Sequence, residues 1–75
     1  MNIYLLTAVD EVSWDETSGL VVTAESEAAI PAVVDTVPLG DNGYLWDQGR
    51  YTIKLLGKAC KGIKSRVWLR DLNAG

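Results

Sequence analysis

Residues 20–40 read LVVTAESEAAIPAVVDTVPLG, and within this stretch the apolar period changes from that of a strand to that of a helix. Leu20 to Ala24 is a short run suited to a pleated, sheltered surface. Ser26 then offers an N-cap, and Glu25 and Glu27 suit the positive end of a helix dipole. Ala28, Ala29, Ile30, Val33, Val34 and Val37 follow at helical spacing, which predicts a helix from Glu27 to about Thr36. Pro31 opposes that reading, because one turn inside a helix its missing N–H and its ring disturb the preceding turn. The alternative is a shorter helix with Pro31 at its first position. Pro38, Gly40 and the Asp41-Asn42-Gly43 turn stop the helix and lead into Tyr44, Leu45 and Trp46.

On the N-terminal side, Ile3 to Val9 is apolar on both of its faces, as a central strand of a sheet would be. Asp10 to Gly19 is polar and reads as a loop that carries Trp14 among carboxylates. On the C-terminal side, Tyr51, Ile53 and Leu55 alternate with Thr52, Lys54 and Leu56, the pattern of a half-buried strand. Gly57 to Lys64 turns the chain, and Ser65 to Leu72 alternates again with Val67 and Leu69 as the core face. The order is strand, strand, helix, strand, strand. It predicts an α+β fold, a four-stranded antiparallel sheet with one helix packed on a face (β-β-α-β-β). The 75 residues suffice for a single small domain, 1–75, whose core is too modest for a deep substrate cavity.

The residue inventory argues against catalysis. Histidine is absent, which removes the commonest general base and the commonest transition-metal ligand. Cys60 is the only cysteine, so no internal disulfide, zinc finger or CxxC redox pair can form, and a reducing cytoplasm fits. Asp15 and Glu16 are adjacent on a loop and cannot oppose each other across a glycosidic bond. The acids also lack the spacing of a calcium loop. The expectation is therefore no enzyme, no cofactor and no metal. MNIYLLTAVDE at the start has no basic region before its short apolar run and reads as a strand, not a signal peptide, and no stretch approaches membrane-spanning length.

Charge points instead to binding. Nine of the ten acids lie at or before Asp47 with no base among them, and all seven bases lie after it, for a net charge of −3. Such segregation steers and orients a molecule on a charged partner. Two candidate surfaces follow. Asp10, Glu11, Asp15, Glu16, Glu25 and Glu27 would form one negative surface around Trp14, against the plainer reading of a solvated loop and ordinary helix-dipole complementation. Lys61, Lys64, Arg66 and Arg70 with Trp68 resemble a nucleic-acid stripe, against the plainer reading that they solvate two strands and neutralise the acidic half within the fold. Direct nucleic-acid binding is not expected of a chain with net negative charge. Cys60, between Lys58 and Lys61, would crosslink a homodimer when oxidised if it is exposed.

Several segments also resemble a known family. MNIYLLT at 1–7, SWDETSGLVVTAESE at 13–27, YTIKLLGKA at 51–59 and the closing NAG at 73–75 are similar to small phage and prophage proteins. Those begin with a Y-L-L-T strand, continue with an aromatic-Asp loop into V-V-x-A-E, and end with I-G-x-A and S-F-N-A-G. Asp71 and Leu72 stand here where Ser and Phe are usual, and residues 31–47 match poorly. Some small phage proteins of this general kind are anti-CRISPR inhibitors. The resemblance implies a phage-encoded protein that acts in the host cytoplasm, binds a type I CRISPR surveillance complex and competes with its target DNA, with carboxylates standing where phosphates would sit.

Overall fold

The computed structural model describes residues 1–10 and 16–73, with the backbone alone for 70–73. Four antiparallel strands, β1 (Asn2–Ala8), β2 (Glu16–Ala24), β3 (Tyr51–Lys58) and β4 (Arg66–Asn73), form one sheet in the order β3-β1-β2-β4. The α+β architecture read from the sequence is present. β1 and β2 are the central hairpin, and the second half of the chain supplies both edges. Gly57 to Lys64 was expected to turn the chain, but β3 runs through Lys58, and the connection to β4 is correspondingly short.

The connection between β2 and β3 lies across one face of the sheet. It holds a single 3₁₀ turn (Glu27–Ala29), α1 (Ile30–Val34) and α2 (Gly43–Asp47). The long helix from Glu27 to Thr36 is thus not formed. Pro31 sits in the first turn of α1, where its missing N–H costs nothing, and the residues before it close as a 3₁₀ turn. Ser26 is extended and makes no side-chain cap; its carbonyl accepts the Ala29 N–H instead. Ala28, placed on the apolar stripe by its spacing, is exposed, while Ile30, Val33 and Val34 are buried. The core lies between this layer and the even-numbered face of the hairpin, where Tyr4, Leu6, Leu20, Val22 and Ala24 meet Ile30, Val33, Val34, Leu39 and Trp46. Fully burying each of the larger aliphatic side chains stabilises the fold by about 1.5–3 kcal/mol before entropy is charged against it.

α2 was not expected, since residues 44–46 read as part of a loop. Its C-terminus is closed by Gly49 at φ 75°, with the Gly49 N–H donating to the Trp46 carbonyl and the Arg50 N–H to the Leu45 carbonyl. That is the pairing of a Schellman motif, which needs a residue tolerant of positive φ, and glycine is one.

A second helix-side element ties this layer to β2. The Asn42 carboxamide accepts the Thr17 backbone N–H at 2.9 Å and donates to the Thr17 carbonyl at 2.9 Å, the two bonds a neighbouring strand would make. Trp46 Nε1 donates to the same carbonyl at 3.3 Å, and the Thr17 hydroxyl donates to the Leu39 carbonyl. Strand β2 therefore begins four residues before the expected Leu20, with Thr17 fully buried.

The sheet is irregular at both edges. A register shift between Val21 and Val22 makes Val21 face Leu69 and Val22 face Val67, so Trp68 is the extra residue of a bulge. Val67 and Leu69 were expected on one core face. The bulge separates them: Val67 packs on the core and Leu69 is 62% exposed on the other side. In β3, Ile53 and Leu55 oppose Leu6 and Tyr4 on the core side, yet both are exposed: α1 packs on β2 and β4, and α2 meets β3 at Tyr51, its first residue.

Candidate binding surfaces

The helical layer gathers acids. Glu25, Glu27, Asp35, Asp41 and Asp47 all belong to the connection that forms it, and all are exposed. The bases are spread more widely: Lys54 stands across from Leu5 on the opposite face, Lys58 pairs with Asn2 at the end of β3 and borders a depression with Ile3 and Val21, and Lys61 and Lys64 are exposed on the 59–65 loop. An ion pair lies at an end of the sheet, where Arg50 holds Asp10 in a fork, Nη2 to Oδ1 at 2.8 Å and Nε to Oδ2 at 3.1 Å. These bonds, with the attraction of the guanidinium, hold the Asp10 carboxyl below the usual carboxylate range.

The acidic candidates are not one patch. Asp10 follows β1 and Glu16 opens β2, at one end of the hairpin, whereas Glu25 and Glu27 follow the far end of β2, beyond the Asn2–Ala24 pair. The nine residues of β2 span about 27 Å at 3.3 Å per residue. Glu16 is half-buried at a bridge to Gly40. Glu11, Trp14 and Asp15 lie outside the described residues.

The basic candidates are brought together better. Arg66 opens β4 opposite Thr23, and its guanidinium carbon lies 4.5 Å from the centre of the Trp68 ring, a cation–π contact. Trp68 is 47% exposed and donates Nε1–H to the Thr23 hydroxyl at 2.8 Å. That hydroxyl also accepts the Arg66 N–H and donates to the Lys64 carbonyl, so one buried threonine fixes the loop, the first residue of β4 and the ring together. Arg70 lies on β4 opposite Leu20, and its side chain is outside the description. The sequence signal for this cluster was the alternation of β4, but the bulge that turns Trp68 and Leu69 outward has no mark in it.

The two described tryptophans divide accordingly. Trp46 is core, 2% exposed and stacked on Tyr51 with ring centres 5.1 Å apart. Burial, with the negative charge of Asp35 added, holds the Tyr51 phenol protonated above its ordinary range. Trp68 is surface. The surface depressions are open and shallow, and among the described residues no cluster of acids and thiols is arranged to hold a metal ion. No described helix is long and apolar enough to cross a membrane. No protein family, curated protein or solved structure matches the chain.

Cys60 is exposed and free. Under non-reducing conditions the purified chain is expected to give a crosslinked dimer on a denaturing gel, and Cys60→Ser is expected to abolish it with the fold unchanged. A dimer that survives the substitution would mean that another contact holds the two chains.

Proposed function

We propose that the chain works by binding and not by catalysis, and that its acidic helical layer covers a cationic, nucleic-acid-reading surface of a protein partner. The observation that carries this reading is the set of exposed carboxylates, Glu25, Glu27, Asp35, Asp41 and Asp47, gathered on the helical layer with no base between them in the chain. Exposed carboxylates spread over one layer present to a basic surface what phosphates would present. In the form implied by the sequence resemblance, the partner is a type I CRISPR surveillance complex and the displaced ligand is its target DNA. A second reading, single-stranded nucleic acid on the basic face, draws on the exposed Trp68 beside Arg66. Net charge −3 opposes it at long range.

The test is competition. Added to a purified surveillance complex, the chain is expected to lower occupancy of labelled target DNA. The pair Glu25→Lys and Glu27→Lys should weaken that inhibition by about tenfold or more, since each close charge pair is converted to repulsion. Lys61→Glu with Lys64→Glu should leave it unchanged. Inhibition lost with the basic reversals and kept with the acidic ones would place the working surface on the sheet side. A salt-dependent gel shift by the chain alone would establish the second reading instead.

A further inference from the structure

The sheet is apolar on both faces and covered on one. Opposite the helical layer, Ile3, Leu5 and Val21 are half-buried, and Leu69, Leu56 and Trp68 are 62%, 51% and 47% exposed. An antiparallel sheet that shows one face to water ordinarily carries polar residues there; aliphatic residues on both faces belong to a sheet with a layer on each side. Two depressions meet at Val21 on this face. One runs past Leu5, Thr7 and Leu69, the other past Ile3, Ile63 and Trp68, and together they make a groove across the hairpin. At the end nearest the 59–65 loop Lys58 lines it, Arg66 stands over the Trp68 ring, and Lys61 and Lys64 are exposed on the adjoining loop, so cations gather at this end.

We propose that this groove docks an amphipathic helix of a partner protein, one whose leucine-type stripe covers Leu5, Val21 and Leu69 and whose flank carries Glu or Asp toward Lys58, Lys61, Lys64 and Arg66. The occupant supplies the missing third layer, and the charge of the border sets its sign and its polarity along the groove. The two other occupants fit less well. Single-stranded nucleic acid stacks its bases on aromatic rings, and this floor is aliphatic apart from Trp68. A second copy packed face to face would cover the leucines, but the described residues of that face bring no carboxylate to Lys58, Lys61, Lys64 and Arg66. The inference is independent of the acidic layer: it uses the other side of the sheet and stands or falls alone.

The experiment measures anisotropy of a labelled helical peptide with one leucine stripe flanked by glutamates, titrated with the full chain. A peptide of identical composition with the stripe scrambled is the control. Specific binding of the first is expected, weakened about tenfold or more by Leu69→Lys and again by Lys61→Glu with Lys64→Glu, and unchanged by Glu25→Lys with Glu27→Lys. Leu69 is largely exposed, so its replacement leaves the fold intact, which a thermal melt verifies. Equal binding of the scrambled peptide, or none of either, overturns the proposal. Tighter binding of an oligothymidylate than of the peptide assigns the face to nucleic acid and overturns it as well. So does a sedimenting dimer of the reduced chain that Leu69→Lys dissociates, which assigns it to a second copy.

Discussion

Trp46→Ala is expected to remove a large share of the stability of the fold. The side chain is 2% exposed, stacks on Tyr51 and donates to the Thr17 carbonyl. Truncating a buried tryptophan costs about 3–5 kcal/mol. A domain of 75 residues holds in total about 4–11 kcal/mol. The loss is therefore a large share of what holds the domain together, because Trp46 is the one buried side chain of α2. Urea denaturation followed by far-ultraviolet circular dichroism should show either no folded baseline or a midpoint moved far to the left. Trp46→Phe isolates the hydrogen bond: it keeps a ring against Tyr51, leaves the Thr17 carbonyl with its Asn42 donor, and should cost only about 1–2 kcal/mol. If Trp46→Ala denatures with the wild-type midpoint, the helical layer does not anchor the sheet through this ring.

Asn42→Ala tests the clasp on β2. Asn42 is 2% exposed and satisfies both backbone groups of Thr17, which is itself fully buried. Removing the carboxamide orphans the Thr17 N–H and takes one of two donors from its carbonyl. At about 1–3 kcal/mol for a stranded buried polar group, with the lost packing added, the expected destabilisation is about 2–4 kcal/mol. Asn42→Asp gives a sharper result. The carboxylate can still accept the Thr17 N–H but faces the Thr17 carbonyl with a negative charge, and burial raises its folded pKa above its unfolded value. Stability is then lost at neutral pH and regained as pH falls through the folded pKa, when the protonated acid donates as the amide did. Denaturation midpoints at neutral and mildly acidic pH distinguish this from a simple packing defect, which would show no such recovery.

The architecture was legible because strand and helix periods are written plainly at Ile3 to Val9 and Leu20 to Val34. What the sequence hid is tertiary. Trp68 and Leu69 alternate as a regular strand would, and only pairing with β2 creates the bulge that turns Leu69 outward. Pro31 shortened the helix by the mechanism expected of it, but no local pattern marks the 3₁₀ turn that absorbs Glu27 to Ala29. For α2 a signal existed: Asn42 and Gly49 bracket Tyr44, Leu45 and Trp46 as a cap and a left-handed terminator would. It was outweighed by the Asp-Asn-Gly turn beside it. The charge runs are plain in the sequence, but where the sheet places them depends on the β3-β1-β2-β4 order, which no local pattern specifies.

That strand order also dictates when the molecule can exist during synthesis. The first half of the chain supplies only a two-stranded hairpin and its cover, and an isolated hairpin is marginal in water. Both flanking strands come from the last third, and β4 must pass the whole width of the sheet to reach its place beside β2. A ribosome-bound chain that stops at Asp47 carries two unpaired hairpin edges and no closure, so cooperative folding waits until β4 has emerged. The closing of long loops then sets its rate, and the nascent chain passes through a stage in which bare strand edges invite pairing with a neighbour.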